Sequence, residues 1–342
     1  MASLGFQRSS SEHGVYTQSR EDGRLVVRVY VDDLIITGTN TRLIAAFKDE
    51  MKDKFQMSDL GLLSYYLGIE VNQGLGGITL RQSTYARKLL ERCGMGSCNP
   101  SLAPMESRLK LSKQSDTALV NAMEYLLHTR PDLAFSVGYL SRFMAEPHED
   151  HLVAVKRGLR YVAGTLDHGL FYSKLDGKQL RLVGYSDADH AGDIDTRKST
   201  SGSIFFLAGN PITWQSSKQK VVALSSCEAE YIAAATAACQ AVWLACLLTD
   251  MVGKKIEAPE VMVDNQSAIA LSKNPVFHDR SKHIDVRYHF IRECVEMGKI
   301  TVSYTATEQQ LADVLTKALG RVRFQELRDK IGAKSAGERV KV

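Results

Sequence analysis

The sequence predicts an α/β chain whose C-terminal half opens on a three-stranded meander, and three observations lead there. First, residues 180–215 hold three short apolar runs: Leu182-Val183, Ile204-Phe205-Phe206-Leu207 and Ile212-Thr213-Trp214, the last two joined by Gly209-Asn210-Pro211. Short apolar runs parted by turn residues are the pattern of a strand meander. Second, helix and strand periods alternate after it. An Ala-rich helix ends at Gly253, and a short strand at 261–263, a helix at 267–272 and a basic amphipathic helix at 284–297 follow it. A strand at 299–304 and a helix from near Thr307 complete the order. Third, four isolated acids sit where these elements begin or end: Asp187, Glu230, Asp264 and Asp313. Carboxylates brought to one point repel one another unless cations lie between them, so the pattern reads as a metal site.

Composition sets the outer bounds. A chain of 342 residues with 44% hydrophobic and 24% charged residues can bury ordinary cores in two or more domains. The formal net charge of +4 is compatible with a polyanionic partner but does not demand one. The six cysteines form no CxxC pair, which suits a reducing compartment. Nothing at the start reads as a signal peptide and no apolar run is long enough to cross a membrane, so an intracellular protein is expected.

In chain order, residues 7–23 are polar with no readable period. Arg24 to Tyr30 and Leu34 to Gly38 are β-branched runs around Val31-Asp32-Asp33, a hairpin with two acids at its tip. Such a tip is ordinarily a solvated bend. Asn40 caps an amphipathic helix at 41–55, with Leu43, Ala46, Phe47, Met51 and Phe55 on one side. Strand character resumes at 60–71. A strand runs into a helix over 78–90, Pro131 opens a helix, and a helix at 149–163 carries Lys156, Arg157 and Arg160. Ser225 and Glu228 read as a capping box for the Ala-rich helix.

Tyr30-Val31-Asp32-Asp33 between apolar strands resembles the active-site hairpin of reverse transcriptases. The runs 29–38 and 66–71 resemble the polymerase of plant copia-type retrotransposons. Further on, Tyr185-Ser186-Asp187-Ala188-Asp189, Ser225-Ser226-Cys227-Glu228-Ala229-Glu230, Val263-Asp264-Asn265 and Leu311-Ala312-Asp313-Val314-Leu315-Thr316-Lys317 are similar to the ribonuclease H of the same elements, and residues 282–290 add to the match.

The resemblance implies a fold and a function. The fold would be a ribonuclease H-like mixed five-stranded sheet with flanking helices at 180–332, preceded by a truncated α+β reverse transcriptase palm and connection region. Its divisions would be a palm remnant at 1–75, a thumb- or connection-like region at 76–179 and a basic tail at 333–342. Its basic helices would grip a primer–template duplex, and a segment between Tyr125 and Leu126 would be shorter than in the family. The function implied is hydrolysis of the RNA strand of an RNA–DNA hybrid by two Mg²⁺ ions, Mn²⁺ being an alternative, with Asp187, Glu230, Asp264 and Asp313 as ligands. Lys282, His283 and Arg287 would touch substrate; no membrane is involved. Asp32 and Asp33 would be an incomplete polymerase site, because the family's third aspartate belongs on an upstream strand, and the 29 residues before Tyr30 offer only Asp22, beside Gly23 in what reads as a turn. DNA polymerase activity is therefore not expected. Two other readings fit part of the pattern: a degenerate element that binds nucleic acid without cutting it, and a glycosyltransferase using Asp187-Ala188-Asp189 as a metal clamp. The second leaves Glu230, Asp264 and Asp313 unexplained.

Overall fold

The computed structural model describes residues 1–112, 126–146, 148–175, 177, 179–273, 284 and 286–335, and the chain divides into two compact units. The first unit is Met1–Leu63 with Val242–Glu257. Strands β1 (Gln7–Arg8), β2 (Val15–Arg20), β3 (Gly23–Tyr30) and β4 (Asp33–Gly38) form an antiparallel sheet in that order. The hairpin expected around the two acids is β3–β4. Tyr30 pairs with Asp33, so Val31 and Asp32 make a two-residue turn with Val31 at φ 53°. Such turns favour Asn or Gly at that angle, and a β-branched residue there is strained. β1 and β2 were not legible, since the polar stretch 7–23 has no period. Val15 and Thr17 are nevertheless buried, and β2 finds its hydrogen bonds along β3.

Asn40 caps α1 (Thr41–Lys54) as expected, accepting from the Arg42 N–H at 2.9 Å. Leu43, Phe47 and Met51 face Phe6, Leu25 and Val27 in one apolar core, whereas Ala46 and Phe55, expected on the same face, are exposed. Arg24 closes the end of the helix Ser226–Val252, donating to the carbonyl oxygen of Met251 at 2.7 Å and to that of Asp250. Those last-turn carbonyls have no partner inside their helix.

The second unit is Ser64–Ala241 with Ala258–Val342. It opens with β5 (Tyr65–Tyr66), β6 (Ile69–Gly74) and β7 (Gly77–Arg81), then α2 (Ser83–Arg92), α3 (Ala134–Leu140), α4 (Glu149–Ala163) and β8 (His168–Ser173). Next come β9 (Leu182–Ala188), β10 (Thr200–Leu207), β11 (Asn210–Lys218), α5 (Ser226–Val252), β12 (Glu260–Val263) and α6 (Gln266–Lys273). The unit closes with α7 (Phe290–Glu296), β13 (Thr301–Tyr304), α8 (Arg321–Lys330) and β14 (Ala333–Ser335).

Two five-stranded sheets result. One is antiparallel, in the order β14-β8-β7-β6-β5. The other is mixed, in the order β11-β10-β9-β12-β13, with β9, β10 and β11 antiparallel and β9, β12 and β13 parallel. A mixed five-stranded sheet in 180–332 is what the resemblance implies.

Several local expectations change. The single run at 60–71 is a hairpin of β5 and β6, turned at Leu67-Gly68, both at positive φ. The last helix does not begin at Thr307. Short 3₁₀ turns occupy Thr307–Gln309 and Leu311–Leu315, and α8 starts only at Arg321. The basic helix likewise splits into a 3₁₀ turn, Val286–His289, and α7. Ala333–Ser335, expected in a tail, pairs with β8. In the capping box, the Glu228 N–H donates to Ser225 Oγ at 3.1 Å, and Glu228 Oε2 accepts from the Leu224 N–H at 2.8 Å. Contrary to the reading that no run could cross a membrane, α5 at 27 residues is long and apolar enough to do so. Ala229, Ala233, Ala237 and Ala241 of that helix are fully buried in the protein.

A polar knot lies in the core of this unit. Arg130 pairs with Asp132 at 2.8 Å and donates to the Thr165 carbonyl at 3.0 Å, while the Tyr161 hydroxyl donates to Asp132 at 2.6 Å. All three side chains are buried, and the Asp132 charge holds the Tyr161 hydroxyl, already raised by burial, well above its ordinary range.

Candidate metal centre

β9 is the middle strand of the mixed sheet, and Asp187 near its end is 1% exposed. β12 runs parallel beside it, so both strands end at the same edge and Asp264 emerges next to Asp187. Parallel neighbours present their C-terminal ends together, the usual place for a site in such sheets. Glu230, in the first turns of α5, completes the group. The Ala188 N–H donates to its Oε1 at 3.2 Å and fixes the carboxylate against β9. One oxygen from each of Asp187, Glu230 and Asp264 lies within 4.8 Å of the others. The second oxygen of Glu230, Oε2, is buried with no hydrogen-bond partner.

Asp313 approaches from the 3₁₀ turn Leu311–Leu315 and is held to the group through a cation. Lys317 Nζ lies 2.7 Å from Asp313 Oδ1 and 3.4 Å from Asp187 Oδ2. Arg323 Nη2 stands 3.7 Å from the other Asp313 oxygen. Two hydroxyls complete the setting: Thr316 donates to Asp187 Oδ2, and Thr307 donates to Asp264 Oδ2 at 3.2 Å. The turn can lie this close because Gly202 of β10 has no side chain. A Cβ there would meet Thr316 Cγ2 at 2.7 Å and Leu315 Cβ at 2.8 Å.

The electrostatics follow from the crowding. Burial, then the charges of Asp187 and Asp264, push the Glu230 carboxyl up to about 10. Burial also raises Asp264, with Lys317 opposing it, and burial and Asp187 raise Asp313. Burial disfavours the Lys317 charge, but Asp187 and Asp313 hold that ammonium above the ordinary lysine range. An oxygen-only set of two buried acids and one half-buried acid, with the Glu230 Oε2 left without a hydrogen bond, suits a hard divalent cation.

Of the residues singled out in the sequence, the structure therefore brings Asp187, Glu230 and Asp264 to ligand distance and sets Asp313 beside them through Lys317. Asp189 turns into the loop after β9, accepting from the Thr200 N–H, and burial pushes it up to about 6. Asp32 and Asp33 are exposed at their hairpin tip, and among the described residues no third acid joins them in a ligand cluster. Lys282, His283 and the side chain of Arg287 lie outside the described residues, as does Tyr125. Sequence reasoning passed over Lys317, Thr307 and Thr316. The spacing of Lys317, four residues after Asp313, was the available signal.

Residues 1–107 match the family model of reverse transcriptase (RNA-dependent DNA polymerase). Over 341 residues, 97% of the chain, the sequence is 42% identical to the retrovirus-related Pol polyprotein from transposon RE1 of Arabidopsis thaliana, of which it covers 23%. It is 34% identical over 243 residues to a putative transposon Ty5-1 protein of Saccharomyces cerevisiae, covering 68% of this chain and 78% of that one. The chain belongs to the copia-type retrovirus-related Pol family. As a Pol-family chain it carries a reverse transcriptase-like part at 1–107, and it spans about a quarter of the length of the curated Pol polyproteins it matches. Among solved structures, an N-terminal RNase H domain from Mycobacterium tuberculosis, fused to maltose binding protein, aligns with 44% of this chain and 98% of that one. The TM-score is 0.28 at 11% identity, too slight a likeness to bear on the fold.

Proposed function

We propose that the C-terminal part of this Pol-family chain is a ribonuclease of the H type that hydrolyses the RNA strand of RNA–DNA hybrids. The observation that carries the reading is the meeting of Asp187, Glu230 and Asp264 within 4.8 Å at one end of two parallel strands, with a buried Glu230 oxygen left unpartnered. These three acids, with Asp313 beside them, would hold Mg²⁺. Bound divalent ions would supply Lewis acidity and an acidified water for phosphodiester hydrolysis. The chain's own residues do the positioning. Ala188 N–H aims Glu230, the Thr316 and Thr307 hydroxyls fix Asp187 and Asp264, and Lys317 with Arg323 offsets the charge of Asp313. A hybrid would be recognised by helix shape and 2′-hydroxyls and not by base sequence.

The rival reading, a remnant that binds nucleic acid without cutting it, is separated by the same assay. Purified chain is incubated with labelled RNA–DNA hybrid and Mg²⁺. The wild type is expected to release RNA fragments and leave the DNA strand whole. Asp264→Asn, which removes a charge and keeps the shape, should lower the rate about 10²–10³-fold while its circular dichroism stays unchanged. Cleavage undiminished in the variant overturns the site assignment, and binding without cleavage by the wild type favours the rival.

A further inference from the structure

We infer that Lys317 is a resident counter-cation of the Asp187–Asp313 pair, so that the protein without nucleic acid takes one divalent ion, at Asp187, Glu230 and Asp264, and admits a second only when Lys317 withdraws. The inference rests on the metal-centre reading above and goes beyond it, because it assigns an occupancy and the residue that controls it.

Three observations support it. The ammonium lies 2.7 Å from Asp313 and 3.4 Å from Asp187, bridging two acids on different elements, one on β9 and one on a 3₁₀ turn. The acids are therefore not equivalent: Asp313 Oδ1 and Glu230 Oε2 are both buried without a hydrogen bond, but Asp313 Oδ1 lies against the Lys317 ammonium, whereas among the described residues Glu230 stands in no ion pair. The unsatisfied half of the site is thus on the side of Glu230 and Asp264. Finally, Lys317 reaches the acids from the solvent side. Its side chain is 40% exposed and sits on a flexible four-carbon stem just beyond the end of the 3₁₀ turn, while Asp187 and Asp313 are 1% and 5% exposed. A polyanionic backbone arriving at the mouth of the site offers the ammonium another partner. That exchange would free the Asp187–Asp313 side for a second cation at the moment substrate is present.

The test is calorimetric titration of the metal-free 342-residue chain with Mn²⁺ in the absence of nucleic acid. Three forms are compared: wild type, Lys317→Gln, which removes the charge at similar length, and Lys317→Arg, which keeps it. The wild type and Lys317→Arg should bind one ion. Lys317→Gln should bind two, its second ion at least about tenfold more tightly than any second ion in the wild type, as expected for removing a half-exposed unit charge a few ångströms away. A purely structural ion pair would shift melting temperature in Lys317→Gln without changing the number of ions bound. One ion in all three forms therefore overturns the inference and leaves the metal-centre reading standing. No binding by any form overturns both. Two ions in the wild type show that Lys317 excludes nothing.

Discussion

Replacing Glu230 by Gln should stabilise the metal-free protein at neutral pH, an unusual sign for a change at a buried polar position. Glu230 is 7% exposed, faces Asp187 and Asp264, and has one oxygen without a partner. Its carboxyl holds its proton in the folded chain up to about 10, whereas the unfolded chain releases it near 4.5. The stability linked to this group is thus fully present below pH 4.5 and is lost as pH rises from there toward 10, at about 1.4 kcal/mol per pH step. By pH 7 the loss amounts to about 3 kcal/mol carried by Glu230 alone, and to about 1–2 kcal/mol where the raised Asp264 carboxyl shares it. Gln avoids the ionisation, keeps an oxygen for the Ala188 N–H, and turns an amide donor toward the two aspartates. At roughly 2–4 °C per kcal/mol, the variant should melt about 4–8 °C above the wild type in EDTA near neutrality. The gain should vanish below pH 4.5, and Mg²⁺ should stabilise the wild type far more than the variant. The measurement is thermal denaturation by circular dichroism across pH, with EDTA and with Mg²⁺. A variant no more stable than the wild type at neutral pH, or one equally favoured in acid, would refute the reasoning.

Three further outcomes are expected. Arg130→Met leaves Asp132 buried without its ion partner and should cost about 3–5 kcal/mol in urea denaturation, whereas a paired Arg130→Met/Asp132→Leu change should cost clearly less. Gly202→Ala drives a methyl into Thr316 and Leu315, so it should destabilise by about 1–3 kcal/mol and weaken Mn²⁺ binding through the displaced turn. Asp32 and Asp33 stand exposed without a third acid at ligand distance among the described residues, so primer extension with deoxynucleotides and Mg²⁺ should give no product; template-dependent extension would show that two acids at a hairpin tip suffice.

Much of the mixed sheet was legible because its signals are local. Apolar runs parted at Gly209 gave β10 and β11, although the turn is Ala208-Gly209 and the expected turn residues Asn210 and Pro211 already pair in β11; Asn40 gave the start of α1, and β12 delivered Asp264 where its apolar run stopped. Strand ends and helix starts are written in neighbouring residues, and so were the four acids. The tertiary structure decided what depends on partners far along the chain. β2 is a strand because β3 supplies its hydrogen bonds, although its own residues are polar. Leu311–Leu315 is a tight 3₁₀ turn against Gly202 of β10, not a helix. α5 has the hydropathy of a membrane span, yet its Ala229, Ala233, Ala237 and Ala241 are buried in protein, a fact invisible to a count of apolar residues. The pairing of Lys317 with Asp187, and of Thr316 with the same acid 129 residues away, was likewise absent from any local pattern. Periodicity reports which face of an element is apolar, while charge neutralisation is a property of the assembled site.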